Sequence, residues 1–545
     1  MDSLASLPAH AGNVTIVQQI SRHAEAETGG VPANAPSSQV DKEDPTTEEV
    51  INLSVFDLIP PRTFIKFILY IPLKNGTSYK TAFAHLHEGL SRTLDRIPFL
   101  DGKVFERPQS EPGYVKGHLQ IRYDKTRKPG SSPRQLTFRD LAAKLPSFEE
   151  LRDSGFEFSA VNDNLVLESA FIPDITAGAD VFRAQANFVQ GGCLLATGFH
   201  HSSMDATGMV TVLKAWSEHC RAIGNSEPVC PWLTPECIDR GILERLWKKG
   251  WDANRSIADI DPATWGYLGF QVPGTEAKTE EELCDQGTTP SYMQNSSMES
   301  SIFYISTSQM AELLGDIQHL HESADEDLQD DQQLSANDIL LALFWRALLR
   351  ARYRAAAASG TPPPADAVAH LESPLDGRAA FSADLPAAYI GNVVTVNKVS
   401  LKLEELILPG PEALRRVAWL VRRGARRAGP GMVRDAYALM QSTRDFSALR
   451  HGFTRLDGWD VMITSVLLLP MQDMDFGGGS SGGLLGQTEA LRPLMDAFNA
   501  NFRLCMILPR NLGGGLELLV SLFPEEMAEL EQDEEFGRFA ALLCH

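Results

Sequence analysis

Gly198-Phe199-His200-His201-Ser202-Ser203-Met204-Asp205-Ala206-Thr207-Gly208 is the stretch on which the reading of this chain turns. Upstream of it, Phe182 to Val189 and Cys193 to Phe199 read as hairpin strands about Gly191-Gly192. Downstream, Val210, Leu213 and Trp216 recur at helical spacing. A strand therefore delivers a His pair to a turn, and a helix leaves it. Imidazole has its ordinary pKa nearest neutrality, so it can take up a proton at pH 7 and return it. Asp205, four residues after His201, can cap the helix or pair with an Arg that fixes the turn. His200, His201 and Asp205 could also ligate a metal. No further His or Cys stands at ligand spacing, so no metal is expected.

Strands and helices alternate on both sides of this stretch. Thr63 to Ile71 is apolar and β-rich, and Ser78 to Leu94 places Phe83, Leu86, Leu90 and Leu94 on one helical face. Later, Leu334 to Tyr353 and Glu412 to Ala428 read as helices, and Val393 to Val399 and Val461 to Leu469 as strands. Met506 to Leu508 pairs naturally with Leu516 to Leu522 across Gly513-Gly514-Gly515. Ala355 to Ala367 and the acidic Glu322 to Gln333 read as exposed loops. Four segments are expected: a disordered tail over 1–48, an N-terminal lobe over 49–225, a crossover over 226–300 and a C-terminal lobe over 301–545.

With 545 residues and 43% hydrophobic composition, the chain can bury a large core. A net charge of −22 disfavours a nucleic-acid partner. No apolar run has the length of a membrane span, and no secretory signal is read at the N-terminus. Seven scattered cysteines without a C-x-x-C pair suit reduced thiols. A cytoplasmic monomer with no bound cofactor is expected.

Further motifs stand at ordered separations. They are Leu100-Asp101-Gly102, Ser335-Ala336-Asn337-Asp338, Asp376-Gly377-Arg378, Tyr389-Ile390-Gly391-Asn392 and Asp475-Phe476-Gly477. Together with His201-Ser202-Ser203-Met204-Asp205, this set resembles the H-x-x-x-D acyl-CoA-dependent acyltransferases of plants and fungi, the BAHD type. It is most similar to their fungal branch, typified by trichothecene 3-O-acetyltransferase. The resemblance covers roughly residues 50 to 540.

That resemblance implies an α/β (α+β) fold of two similar mixed-sheet lobes, of the chloramphenicol acetyltransferase-like type, with an active-site channel between them. It implies acyl transfer from acyl-CoA, acetyl-CoA foremost, to a hydroxyl, or less readily an amine, of a small secondary metabolite. His201 would be the general base, and no acyl-enzyme would form. Asp205 would pair with Arg378, while Asp475, Phe476 and Gly477 would be structural. Thr464, Ser465 and Asn392 would lie at the oxyanion or the channel. Two departures from the family pattern are visible. D-F-G-W-G reads Asp475-Phe476-Gly477-Gly478-Gly479, and Thr-Ser-Trp reads Thr464-Ser465-Val466. The lost tryptophan implies a larger or differently shaped acceptor pocket.

Arg415, Arg416, Arg422, Arg423, Arg426 and Arg427 fall within an arc of roughly 140° on one helix. Arg422 and Arg426 are the candidates for holding the phosphates of coenzyme A; a solvated helix face is the rival reading. Two other functions stay open. One is a catalytically inert relative that binds a small molecule. The other is a condensation-type amide-forming enzyme, against which Ala206 stands where that class carries Gly.

Overall fold

The computed structural model describes residues 47–223, 229–252, 255–274, 292–319, 334–452, 458–470, 474–477, 483–500, 502–510 and 514–545. The expected tail lies outside these residues up to 46, and the first strand, Glu48–Asn52, begins at its far boundary. The acidic loop at Glu322 to Gln333 and the diglycine at 478–479 also lie outside them.

Two mixed sheets dominate. The first has five strands in the order Ala490–Pro493, Phe64–Pro72, Gly192–His200, Phe182–Val189, Leu136–Asp140. The second has seven, in the order Val394–Lys402, Val368–Asp376, Asp460–Ser465, Leu504–Ile507, Leu516–Leu522, Glu299–Ile305, Ala541–Cys544. Each combines parallel and antiparallel pairs. A four-stranded sheet carries Glu48–Asn52 on its edge.

The helices Tyr79–Arg96 and Ala206–Arg221 pack together over the first sheet. Ser78 caps the former by accepting from the Thr81 amide, and Ala82, Leu86, Leu90 and Leu94 bury its apolar stripe. Trp216 is fully buried between the two helices and donates Nε1–H to the Leu86 carbonyl at 2.8 Å. On the second sheet, Ala336–Ala358 packs against Pro411–Arg427. Ser335 and Asp338 form a capping box at its start.

Three readings are corrected. The Ala336–Ala358 helix runs on through Ala355–Ala358, read as loop, because a run of alanines favours helix. The strand at Val461 stops at Ser465 rather than Leu469, and Leu468 stands 89% exposed. Ala490–Pro493, placed by the sequence in the C-terminal lobe, pairs antiparallel with Phe64–Pro72 and completes the first sheet. The two halves are thereby laced together. No described helix is long and apolar enough to cross a membrane.

Candidate active site

Where the Phe64–Pro72 and Gly192–His200 ladder ends, His200 lies opposite Phe64. The next residue, His201, still donates its amide to the Thr63 carbonyl at 2.8 Å, so the ladder itself fixes its backbone. Ring Nδ1 of His201 lies 3.3 Å from the Met204 carbonyl. A carbonyl can only accept, so Nδ1 carries the proton and Nε2 keeps the basic lone pair. Burial pushes the His201 pKa below its ordinary value, against the opposing pull of the backbone carbonyls and Asp205. The ring is therefore neutral at pH 7. His200 is turned inward: its Nδ1 accepts from the Ser202 amide at 3.2 Å, and burial pushes its pKa down to about 3.

Asp205 points the other way. It caps the Ala206–Arg221 helix by accepting from the Gly208 amide at 3.0 Å. Oδ1 also accepts from Arg378 Nη2 at 2.8 Å, and Oδ2 from the Val393 amide at 3.0 Å. Arg378 is 3% exposed and donates as well to the carbonyls of Tyr389 and Gly391 and to Asp376. Gly208 lets this junction close, since a Cβ there would collide with the Ile390 carbonyl. Apart from the helix cap at Gly208, the contacts of the Asp205 carboxylate tie the turn to the C-terminal half.

A second buried cluster backs the turn. Asn392 donates its side-chain N–H to the His201 carbonyl at 3.1 Å and to Asp57 Oδ1 at 3.0 Å. Arg240 reaches Asp57 at 3.2 Å and the Ser203 carbonyl at 2.6 Å. Burial raises the Asp57 pKa, and Arg240 and Asn392 oppose that rise. Sequence reasoning missed Asp57 and Arg240. The available signal was an acidic residue inside the apolar run Val55-Phe56-Asp57-Leu58.

His201 opens onto a cavity of about 310 Å³ between the two large sheets. One wall is Thr63, Ile65 and Phe67, and the facing wall is Pro374, Val396, Met462, Thr464 and Met506. Thr464 brings a hydroxyl to this apolar wall. Val466 lines the cavity where the family's tryptophan would stand. Ser465, between them on the strand, faces away, and its hydroxyl donates to Asn337 Oδ1 at 2.6 Å. Ser465 and Asn392 are thus corrected as channel residues: neither lines the cavity, because each is committed to a partner behind it. Arg422 and Arg426 do not line it either. Arg422 lies 3.6 Å from Asp338 at the start of the Ala336–Ala358 helix. Phe476 and Gly477 pack against the first sheet's helices, and Asp475 Oδ1 accepts from the Gly477 amide at 2.9 Å. Phe476 meets Trp216 edge to face at 6.0 Å, and its carbonyl lies 3.0 Å from His85 Nε2. Gly477 has φ +122°, a backbone conformation that glycine alone adopts readily. No cluster of three or more metal-ligating side chains occurs among the described residues.

Comparison with known proteins places this geometry. Residues 63–220 match the trichothecene 3-O-acetyltransferase-like N-terminal domain, and residues 273–537 match the Transferase family. The chain belongs to this transferase family. It is 33% identical over 513 residues to the isocyanide synthase–NRPS hybrid crmA of Aspergillus fumigatus, covering 90% of this chain but only 31% of that protein. It is 25% identical to the eremophilane O-acetyltransferase ORF8 of Penicillium roqueforti, covering 89% of this chain and 97% of that one. Its fold is that of F. sporotrichioides TRI101, solved with coenzyme A and T-2: TM-score 0.69 at 20% identity, over 91% of this chain and 100% of that one. The expected two-sheet fold and family are therefore found.

Proposed function

We propose that the chain transfers an acyl group, acetyl foremost, from acyl-CoA to a hydroxyl of a small secondary metabolite, with His201 as general base. The observation that carries the reading is the His201 ring. Its Nδ1 is held at the Met204 carbonyl, its Nε2 has no hydrogen-bond partner among the described residues, and it opens on an apolar cavity between the sheets. Nε2 takes the proton of the acceptor hydroxyl as the oxygen attacks the thioester carbonyl. The Thr464 hydroxyl is the donor available to the resulting oxyanion. The intermediate collapses, the C–S bond breaks, and the coenzyme A thiolate takes the proton back from the imidazolium. The protein ends unchanged, so no acyl-enzyme is needed. Complexes with coenzyme A or ethyl coenzyme A in structures of the same fold support the donor class. Acetyltransferase relatives of matching length support the acetyl group.

Similarity to the isocyanide synthase–NRPS hybrid favours a second reading, condensation-type amide formation. One assay separates these readings from an inert binding protein. Purified chain is mixed with several acyl-CoAs and a panel of alcohols and amines, free thiol is followed, and products are weighed by mass spectrometry. Ester products support the first reading and amide-only products the second. No thiol release from any pair refutes both.

A further inference from the structure

The mechanism above uses two of the polar side chains that line the cavity, His201 and Thr464. The charged ones are already paired. Lys398 reaches Glu372 at 3.0 Å from the neighbouring strand, and Oε1 of Glu372 is sealed among its neighbours. Arg503 is committed to Glu526 by hydrogen bonds of 2.6 and 2.9 Å. Lys66 gives a hydrogen bond to the Ser169 carbonyl at 3.4 Å and has Asp163 and Asp496 as counter-charges. His451 differs. It lines the same cavity and is only half-buried. Neither ring nitrogen has a hydrogen-bond partner among the described residues, and neither is sealed as Glu372 Oε1 is. Burial alone lowers its pKa to about 4, with no charged group among the described residues adding to the shift or opposing it. The imidazole is therefore uncharged at neutral pH, with one nitrogen donating and the other accepting.

The place of His451 is fixed through its backbone. It bridges Phe270 in antiparallel register, the Gly452 amide donates to the Gly269 carbonyl at 2.7 Å, and the Gln271 amide donates to the Arg450 carbonyl at 2.9 Å. Its ring lies 4.8 Å from that of Phe270, which meets Trp265 edge to face at 6.5 Å. A polar ring held in an apolar wall gains from a hydrogen bond that a ligand brings. His201 and His451 meet different stretches of the wall. The His201 carbonyl is held by Asn392, two residues before Val394. Gly269, which anchors Gly452, lies against Val396: a Cβ on Gly269 would stand 3.5 Å from a Val396 methyl. Val394 and Val396 both line the cavity, about 7 Å apart along their strand. A ligand that reaches both rings therefore carries polar atoms at two places, with apolar surface between them.

We propose that His451 is a specificity-determining residue that hydrogen-bonds a second hydroxyl of the acceptor, which makes the substrate class an apolar diol. This inference rests on the transferase reading above and names its acceptor. A hydroxyl can donate to one ring nitrogen or accept from the other, so it suits either tautomer. A carboxylate or an ammonium would enter an apolar wall whose charged residues are already paired. The hydroxyl at His451 lies away from Nε2 of His201 and stays unacylated while the other reacts.

The test is calorimetric titration of the full chain at pH 7 with 1,8-octanediol and, separately, with 1-octanol. Burying a second hydroxyl without a partner weakens binding, and a partner offsets that loss. The native chain should therefore bind the diol at least as tightly as the mono-alcohol. His451→Phe keeps an aromatic ring but offers no hydrogen bond, and it should lower the diol-to-octanol affinity ratio about tenfold, with its melting temperature recorded alongside. A diol bound more weakly than 1-octanol by the native chain overturns the proposal and requires no variant to fold. A ratio unchanged in His451→Phe overturns it as well. Thiol release from acetyl-CoA with the same two alcohols is measured in parallel. If the diol preference and its loss in the variant hold but no acyl-CoA and acceptor pair releases thiol, the hydroxyl site stands and the transferase reading fails.

Discussion

His201 and Asp205 stand four residues apart in one turn, yet the protein treats them oppositely. His201 is held through its backbone and Nδ1, which leaves one ring nitrogen without a partner among the described residues, beside an apolar cavity. Asp205 has both oxygens engaged by Gly208, Arg378 and Val393, two of them from the other half of the chain. A free basic site at a cavity is suited to chemistry. A saturated carboxylate at a junction is suited to architecture. One five-residue motif therefore divides into a reacting end and a fastening end, and the division can be attacked from either side.

The largest effect is expected at the reacting end. His201→Ala should lower turnover on the order of 10²–10⁴-fold, the usual contribution of a positioned base, with a melting temperature close to the parent's. Steady-state kinetics beside differential scanning fluorimetry checks both halves of that statement. A variant as active as the parent would remove the reacting end from the account.

At the fastening end the effect should appear in stability. Asp205→Ala removes the buried partner of Arg378, leaving only the half-exposed Asp376 as counter-charge, and should cost about 3–5 kcal/mol in chemical denaturation. If the variant melts like the parent but has lost turnover, Asp205 belongs with the chemistry and the division is wrong.

Smaller changes sharpen the contrast between the cavity and the surface. Neutralising Arg422 and Arg426 to Met should raise the KM for acyl-CoA several-fold at unchanged kcat, if these arginines meet the donor's phosphates. The change should vanish with acyl-pantetheine as donor. An unchanged KM assigns the stripe to solvent.

The smallest effect concerns acid. Burial lowers the pKa of His200 to about 3 and of His219 to about 4, against an ordinary value near 6.5. A group depressed in the folded state contributes fully above its unfolded pKa and loses that contribution as pH falls toward the folded value. Stability measured by urea titration should therefore decline steadily from pH 7 to pH 5. A flat profile would mean that these rings are not buried neutral.

Much of this was legible in the sequence, and the limits have physical causes. The His pair between an apolar strand and a helix located the turn, because strand and helix periods are local signals. The family motifs located Arg378, whose partner lies 173 residues away. Asn392 and Ser465 were misplaced because a motif tells which residues sit near a site and not which way each side chain turns. Strand alternation sends Thr464 and Ser465 to opposite faces, and Asn392 is spent on Asp57 and the His201 carbonyl. Asp57 and Arg240 were invisible for a related reason. A lone charge in an apolar segment does not announce its partner. The lacing of Ala490–Pro493 into the first sheet is a long-range pairing with no local sign.

The central claim is that His201 acts as a neutral base with a depressed pKa. The most direct test is the pH profile of kcat/KM from pH 5 to pH 9, measured for the parent and for His201→Ala by thiol release. The parent should show a plateau at neutral pH and one descending acid limb with its midpoint below about 6.5, absent from the variant. A midpoint above neutrality, or the same limb persisting in His201→Ala, would contradict it.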